Sequence, residues 1–87
     1  MFDWDDHNVA HIARHGLETK DVESVLQRAT TAFVPAYAVG GEMLWAAVGL
    51  DGQRRTLFVV FTIRGPMVRV ITARPASRLE RRRISGS

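Results

Sequence analysis

The apolar pattern of this chain changes its period after residue 30, and this change limits the fold most strongly. Before it, Val22, Val25 and Leu26 recur at the spacing of one helix face. After it, apolar runs between residues 42 and 73 follow the period of two that is typical of strands. We therefore predict an α+β domain, with two N-terminal helices packed on a four-stranded antiparallel sheet and a C-terminal helix after it.

Turn and capping residues give the approximate limits of each element. Gly16 is expected to end the first helix in a left-handed conformation, and Pro35 restricts the first strand to an edge. The predicted elements are helices from Asp5 or Asp6 to His15 and from Thr19 to Arg28, strands at Thr31–Tyr37, Glu42–Leu50, Arg54–Ile63 and Val68–Ala73, and a helix from Pro75 to Ile84. A short strand at residues 2–4 is also possible. Residues 1–84 form one predicted domain, and residues 85–87 a frayed tail.

Length and composition exclude several classes of protein. The chain has 87 residues and no cysteine, which removes disulfides, thiolate nucleophiles and cysteine zinc sites. No apolar run approaches the roughly 20 residues that a membrane-spanning helix needs. We expect a soluble, cytoplasmic protein without a cofactor.

The two faces of the sheet follow from the predicted turns. A two-residue hairpin at Asp51-Gly52 places alternate residues, including Ala46 and Val59, on an apolar face beneath the N-terminal helices. The other face then mixes apolar and basic residues, as binding surfaces do. Its candidates for contact with a protein partner are Trp45, Phe58 and Met43. Alternatively, the C-terminal helix covers this face with Leu79 and Ile84.

Charge is divided unevenly along the chain. Residues 51–87 carry nine arginines and two acids, or +7, whereas residues 1–50 carry three cations and seven acids, or −4. This asymmetry indicates a polyanionic partner such as nucleic acid, although a solvated basic face without a ligand has the same composition. The predicted RNA-binding residues are Arg54, Arg64, Arg78 and Arg82.

Two groups of side chains carry possible chemistry. His7, His11 and His15 follow one another at intervals of one helical turn, but without the intervening Glu or third ligand of a zinc site. We therefore predict no metal site, and His15 is the most plausible functional histidine because a helix C-terminus favours a cation. Arg69 and Arg74, near the last strand, have the chemistry to hold a phosphate and stabilise transition-state charge.

Several segments together resemble a known family. FDWD at the start, RHGL after the first helix, RRTLFVVFT and VRVITARPASRLERRR are similar to the BrnT toxins of bacterial type II toxin–antitoxin systems, which have a RelE-like ribonuclease fold. The resemblance covers residues 2–83. It implies a metal-independent ribonuclease that inhibits translation, a BrnA-like antitoxin as partner, and contact with promoter DNA only through the toxin–antitoxin complex. It also implies attack by the ribose 2′-hydroxyl on the adjacent phosphate.

The resemblance also assigns individual residues. His15, Arg55, Arg69 and Arg74 match its histidine and arginine positions, so they are the predicted catalytic residues, and Glu80 matches a glutamate of the final helix. The family usually has a tyrosine at the end of that helix, whereas this chain has Ile84 there. This departure favours the alternative, a non-catalytic module of the same fold that binds nucleic acid or a partner. The retained arginines and His15 favour the ribonuclease.

Overall fold

Three helices and four strands make up the protein. The computed structural model describes residues 1–28 and 31–85, apart from the side chains of residues 34–39 and 83–85. The elements are α1 (Asp6–Ala13), α2 (Thr19–Gln27), β1 (Ala32–Val39), β2 (Glu42–Leu50), β3 (Thr56–Arg64), β4 (Met67–Pro75) and α3 (Arg78–Ser85). The predicted α+β class and order of elements are therefore confirmed.

The four strands form one antiparallel sheet in the order β1-β2-β3-β4. Gly40 and Gly41 both have positive φ values, as a two-residue hairpin turn between β1 and β2 requires. β1 is an edge strand, and its pairing with β2 is irregular next to Pro35, as the sequence predicts. Residues 1–3 extend the sheet only slightly, because Phe2 makes a single parallel bridge to Val68 of β4.

The helices α1 and α2 bury the apolar face of the sheet. The α1 helix ends as predicted: Gly16 has a φ of 73°, and the Leu17 N–H donates to the Ile12 carbonyl. This turn directs Leu17 back into the core. The core residues of both layers are Ile12, Leu17, Val22, Val25, Ala47, Leu57, Val59, Phe61, Val70 and Ala73. Within the described residues, no helix has the length and apolar character needed to cross a membrane.

The connection between β2 and β3 differs from the prediction. Leu50 pairs with Thr56, so the two strands are joined by five residues, 51–55, instead of the two-residue turn Asp51-Gly52. Directly opposed residues share a face, and the longer connection therefore reverses the predicted faces of β2. Trp45 and Ala47 lie on the helix-covered face. Ala46 and Val48, predicted beneath the helices, lie on the opposite face.

A bulge in β4 interrupts its pairing with β3. Val60 pairs with Thr72 but Phe61 pairs with Val70, which leaves Ile71 as the extra residue. Val70 and, beyond the bulge, Ala73 therefore both belong to the core beneath the helices. Because of the extra residue, Arg69 and Arg74 share a face although five positions separate them. Their strand partners, Thr62 and Phe58, both lie on that face.

The final helix begins later than predicted. Pro75 ends β4, so Pro75 is not the first residue of the helix, and Arg74 belongs to the strand. Ser77 caps α3 instead, since its hydroxyl accepts the Glu80 N–H at 3.2 Å while Glu80 accepts the Ser77 N–H at 2.8 Å. This is a capping box, whose sequence signature is the Ser-x-x-Glu of residues 77–80.

The α3 helix packs on the second face of the sheet, near β2. Ala46, Val48 and Val60 are buried there. Leu79, predicted as a possible contact of this helix with the sheet, is 71 % exposed. The side chain of Ile84 and the last two residues of the predicted tail lie outside the described residues.

A glycine is required where α2 meets β2. A Cβ atom at Gly49 would lie 2.4 Å from the Thr31 hydroxyl oxygen, which donates a hydrogen bond to the Val25 carbonyl in the last turn of α2. The hydroxyl is a second donor to this carbonyl, which also accepts the Arg28 N–H at the end of the helix. Gly49 therefore leaves the space in which Thr31 completes the end of α2.

Gly49→Ala is expected to lower the free energy of unfolding by about 1–3 kcal/mol, because the methyl group displaces the buried Thr31 hydroxyl. Gly52→Ala is the matched control, since a Cβ atom there lies 3.9 Å from its nearest neighbour, the Ser24 hydroxyl. Urea unfolding of both variants checks this. Equal stability of the two variants would contradict the close approach of Thr31.

Candidate functional site

The predicted functional residues divide between the two ends of the sheet. At one end, the 51–55 loop meets the last residues of β4, since the Ala76 N–H donates to the Thr56 carbonyl at 2.9 Å. We call this the loop end. The turns at 40–41 and 65–66 form the opposite end, the hairpin end. Arg54, Arg55, Arg74 and Arg78 lie at the loop end, and Arg64 and Arg69 lie toward the hairpin end.

Arg55 is held within the fold by two buried carboxylates. Its Nε donates to Asp51 at 2.8 Å, and its Nη2 forms an ion pair with Asp21 at 3.0 Å without hydrogen-bond geometry. Its Nη1 also donates to the Gly16 carbonyl at 3.3 Å. This single guanidinium therefore joins the loop to α2 and to the turn after α1. Its contacts are those of a structural residue, and its predicted catalytic role remains a prediction.

Asp51 organises the loop around Arg55. Its carboxylate is fully buried and accepts the N–H groups of Gln53 and Arg55, each at 2.8 Å. Burial raises the pKa of Asp51, but the hydrogen bonds from Arg55 and Gln53 outweigh it and leave the pKa below its ordinary value. The loop also places Arg54 in the left-handed region, with a φ of 66°. Asp51 is therefore ionised at neutral pH.

Arg69 is occupied by the N-terminal segment. Its guanidinium donates to Asp5 at 2.6 Å and to Asp3 at 3.2 Å. The Asn8 N–H and Arg69 together lower the pKa of Asp5. Arg69 and Arg74 are four strand spacings apart, about 13 Å. Two carboxylates around one guanidinium give this cluster a net negative charge, which disfavours a phosphate.

Arg64 is also paired with an acid at the hairpin end. It donates to Glu42 from Nε at 2.9 Å and lowers the pKa of that carboxyl. The buried Thr62 hydroxyl donates to the same carboxylate at 3.1 Å. Arg64 therefore adds less attraction for RNA than its exposed position suggests, and its predicted RNA contact remains a prediction.

Arg74 is fixed at the loop end between an aromatic ring and an acid. Its guanidinium carbon lies 4.4 Å from the centre of the Phe58 ring, and its two terminal nitrogens donate to Glu80, each at 2.8 Å. Nη1 also donates to the Pro75 carbonyl. Within the described residues, Nε has no acceptor. Arg74 is thus a rigid, partly exposed cation, and two of its five N–H groups, one on Nε and one on Nη2, are available to a ligand.

The Arg74–Glu80 pair is ionised on both sides. Burial raises the pKa of Glu80, but hydrogen bonds from Arg74 and from the Ser77 N–H outweigh it, so the pKa falls below its ordinary value. The hydrogen bond to Glu80 in turn raises the pKa of Arg74. A carboxylate with a lowered pKa is a weak proton acceptor. Glu80 is therefore suited to orient Arg74 and not to act as a general base.

His15 lies at the surface in the turn after α1. Its backbone N–H donates to the Ile12 carbonyl at 3.0 Å, which fixes the backbone at this position. Its side chain is exposed. Its ring lies edge to face with that of His11, with the ring centres 6.2 Å apart. An exposed imidazole is available to accept or donate a proton.

Three predicted RNA-binding arginines are exposed and have no carboxylate partner in the described part of the chain: Arg54, Arg78 and Arg82. Arg54 belongs to the loop, and the other two lie one turn apart on α3. Acids pair with Arg55, Arg64, Arg69 and Arg74. The three exposed arginines therefore supply much of the uncompensated positive charge of the second half of the chain. Arg54 and Arg78 lie at the same end of the sheet as Arg74, and Arg82 follows one turn farther along α3.

The predicted partner-binding residues do not form one surface. Phe58 lies beneath Arg74, whereas Met43 and Trp45 lie on the helix-covered face at the hairpin end. There the helices leave apolar side chains uncovered: Met43 is 46 % exposed and Ile63 is 57 % exposed. We call Met43, Trp45 and Ile63 the hairpin patch.

The three histidines do not assemble a metal site. Across residues 1–28 and 31–85, no group of three or more His, Asp or Glu side chains is arranged to hold a metal ion. His11 is directed instead to Thr72, with 2.9 Å between Nε2 and the hydroxyl oxygen.

Sequence reasoning missed the acids that pair with the arginines. Glu80 had a local signal, the Ser-x-x-Glu capping box at residues 77–80. Asp3, Asp21 and Asp51 had none, because their partners lie on other elements or depend on an unpredicted loop. The arginine clusters are therefore tertiary features.

Comparison with known proteins gives a family assignment. A family model described as "Ribonuclease toxin, BrnT, of type II toxin-antitoxin system" matches residues 4–80, which is most of the chain. The comparison with curated proteins gave no match. The matched range contains α1, α2, the whole sheet and the Arg74–Glu80 pair.

Asp51→Asn is expected to lower the free energy of unfolding at pH 7 by about 2–4 kcal/mol, because Arg55 loses its buried charged partner. Asp51 has a lowered folded-state pKa, so its contribution is present above the unfolded value of about 4 and is lost as the pH falls through the folded value. The difference from the parent protein should therefore shrink on acidification. Urea unfolding between pH 3 and pH 7 measures it.

Asp6→Asn is the control for this variant. Asp6 is exposed in the first turn of α1, so its loss should cost less than about 1 kcal/mol. If Asp51→Asn and Asp6→Asn unfold at the same urea concentration, Asp51 does not stabilise the loop as described.

Proposed function

The chain belongs to the BrnT family of ribonuclease toxins of type II toxin–antitoxin systems, and from this we propose that it is a metal-independent endoribonuclease that inhibits translation in the cytoplasm. The observation that carries this proposal is the oriented cation Arg74, which lies at the loop end among three uncompensated arginines. Both the family's activity and the geometry of this end favour RNA as the substrate.

The proposed reaction uses the RNA itself as nucleophile. The ribose 2′-oxygen attacks the adjacent phosphorus, the bond from phosphorus to the 5′-oxygen breaks, and the products are a 2′,3′-cyclic phosphate and a 5′-hydroxyl. One group takes the 2′-hydroxyl proton, and the 5′-oxygen receives a proton. His15 is the proposed proton carrier. Arg74 stabilises the additional negative charge on the phosphate oxygens in the transition state.

Arg74 is better suited to this role than the other predicted arginines. Its planar group is held by Phe58 and Glu80, so little ordering remains to be done when a phosphate arrives. Arg55 and Arg69 each have two acids as partners. We therefore assign Arg55 and Arg69 to stability, and Arg54, Arg78 and Arg82 to attraction of the RNA backbone.

A non-catalytic binding module is the second candidate. The observation that favours it is the pairing of both terminal nitrogens of Arg74 with Glu80, because a phosphate can then reach only the edge formed by Nε and the second N–H of Nη2 unless it displaces the carboxylate. In this case the loop end would hold RNA without cleaving it. Cleavage of RNA by the purified protein separates the two candidates.

Induced expression without an antitoxin tests the proposed function first. We expect growth arrest with fragmentation of total RNA. The purified protein should cleave a single-stranded oligoribonucleotide in the presence of EDTA and leave the 2′-deoxy version of the same oligonucleotide intact. Normal growth with intact RNA, at confirmed expression of folded protein, would contradict the ribonuclease and support the binding module.

Arg74→Ala is expected to abolish growth arrest and reduce RNA cleavage by about 100-fold or more, because the charged donor to the transition state is lost. Lys20→Ala is the charge-matched control: Lys20 is exposed on α2, where its nearest acid is Glu18, and it should not affect cleavage. Both variants should remain folded by circular dichroism. Full toxicity of a folded Arg74→Ala protein would exclude this role.

We further propose that the antitoxin binds the hairpin patch. The family implies a protein partner, and exposed apolar side chains of this extent are typical of protein interfaces. RNA is a poor occupant, since Arg64 beside the patch is already paired with Glu42. Through the bound antitoxin, the complex would contact DNA.

A double variant at the patch, Met43→Asp with Ile63→Asp, is expected to remain toxic but to escape neutralisation by the product of an adjacent antitoxin gene. Buried charge at an apolar contact should weaken the complex at least about 100-fold. Val9→Asp, an exposed apolar residue on α1, is the matched control and should still be neutralised. Neutralisation of the double variant would exclude the patch as the interface.

A further inference from the structure

The contact between His11 and Thr72 has no part in the function proposed above. His11 lies on α1 and Thr72 on β4, 61 positions apart in the sequence, and their side chains share a 2.9 Å hydrogen bond. Both residues are partly buried. Hydrogen bonds between two side chains from distant elements fix the relative position of those elements, because neither side chain can satisfy the bond locally. This bond therefore sets where α1 lies along β4.

The α1 helix runs beside β4 in the same direction. Its N-terminal Asp5 contacts Arg69, and His11 contacts Thr72, which is farther along the strand. The helix ends at Ala13, and the turn that follows carries His15. This turn lies at the loop end, because Arg55 Nη1 donates to its Gly16 carbonyl. The His11–Thr72 bond thus fixes the helix from which this turn leads to the end of the sheet that carries Arg74.

The rings of His11 and His15 add a second constraint. Their centres are 6.2 Å apart and their planes meet at 70°, so the edge of one ring faces the other. His15 is otherwise exposed, and its ring makes no other ring contact or hydrogen bond within the described residues. The backbone beneath it is fixed separately, by the Arg55 Nη1 hydrogen bond to the Gly16 carbonyl. His11 is therefore the side chain that limits the orientation of the His15 imidazole.

We infer that His11, anchored by Thr72, is a positioning residue that holds the His15 imidazole at the loop end, where Arg74 also lies. This inference rests on the proposed function, in which His15 transfers a proton at a phosphate bound by Arg74. Proton transfer requires a heavy-atom separation of about 2.6–3.2 Å, so a displaced imidazole loses rate even when the RNA binds normally. The His11–Thr72 hydrogen bond on the edge strand β4 thus supports the proposed proton transfer at the loop end.

Thr72→Val tests the inference, because it removes the hydroxyl and preserves the shape of the side chain. We expect kcat for cleavage of a single-stranded oligoribonucleotide to fall about tenfold, with KM unchanged within about twofold. Thr72→Ser retains the hydroxyl and should restore kcat. His11→Phe should lower kcat to a similar extent, and combining it with Thr72→Val should add little, since both changes remove the same bond.

His7→Phe is the matched control for the histidine change. His7 is exposed on α1, one turn before His11, and should leave kcat and KM unchanged. Nuclear magnetic resonance of the protein without RNA provides a readout of position: the cross-peak between the His11 and His15 rings should be present in the parent protein and weaken in Thr72→Val. Urea unfolding shows that each variant compared is folded.

The possible outcomes separate the two claims. Cleavage by the parent protein with an unchanged kcat in folded Thr72→Val would overturn the positioning role and leave the ribonuclease intact. A fall in kcat that Thr72→Ser does not reverse would also overturn it. Absence of cleavage by the parent protein would contradict the proposed function and, with it, this inference.

Discussion

The arrangement of the sheet and the helices depends above all on the hydrogen bonds that the buried Asp51 carboxylate accepts. Asp51 accepts hydrogen bonds from Gln53 and Arg55, and this arrangement shapes the five residues that connect β2 to β3. The length of this connection sets which residues of β2 face the helices, because a change of register by an odd number of residues reverses both faces. Through Arg55, the same carboxylate is linked to Asp21 of α2 and to the turn after α1. The hydrogen bonds of Asp51 therefore determine which residues of β2 face the core and how the sheet is joined to the two N-terminal helices.

Ion pairing redistributes the positive charge that the sequence displays. Arg55, Arg64, Arg69 and Arg74 are each bound to at least one acid, so four of the nine arginines in the second half contribute little net field. Among the described arginines of this half, Arg54 in the 51–55 loop and Arg78 and Arg82 on α3 have no carboxylate partner. A basic composition therefore indicates a polyanionic partner, but the location of its binding surface depends on which arginines the acids leave available.

The Arg74–Glu80 pair combines stability with the proposed chemistry. Glu80 caps α3 through the Ser77 N–H and also orients Arg74, so the start of the helix and the candidate phosphate-binding group share one carboxylate. Phe58 supports the guanidinium from the sheet. A cation held in this way needs little reorganisation when charge develops on a phosphate, which is the condition for electrostatic stabilisation of a transition state.

The sequence by itself determined the class of fold, the order of elements, the ends of α1 and α2 to within about two residues, and the Gly40-Gly41 turn. These features depend on local periodicity, capping and turn chemistry. The sequence also carried the family resemblance and named Arg74 and His15.

Three features depend on the folded structure: which residues of β2 face the helices, that β4 bulges at Ile71, and which acids pair with the arginines. Asp51-Gly52 has the local signal of a two-residue turn, but burial of the Asp51 carboxylate against Arg55, which also pairs with Asp21, favours a longer loop. Likewise, the bulge places Arg69 and Arg74 on one face, although alternation along a regular strand separates them. In both cases contacts between distant segments outweighed local preference, and such contacts exist only once the chain has folded.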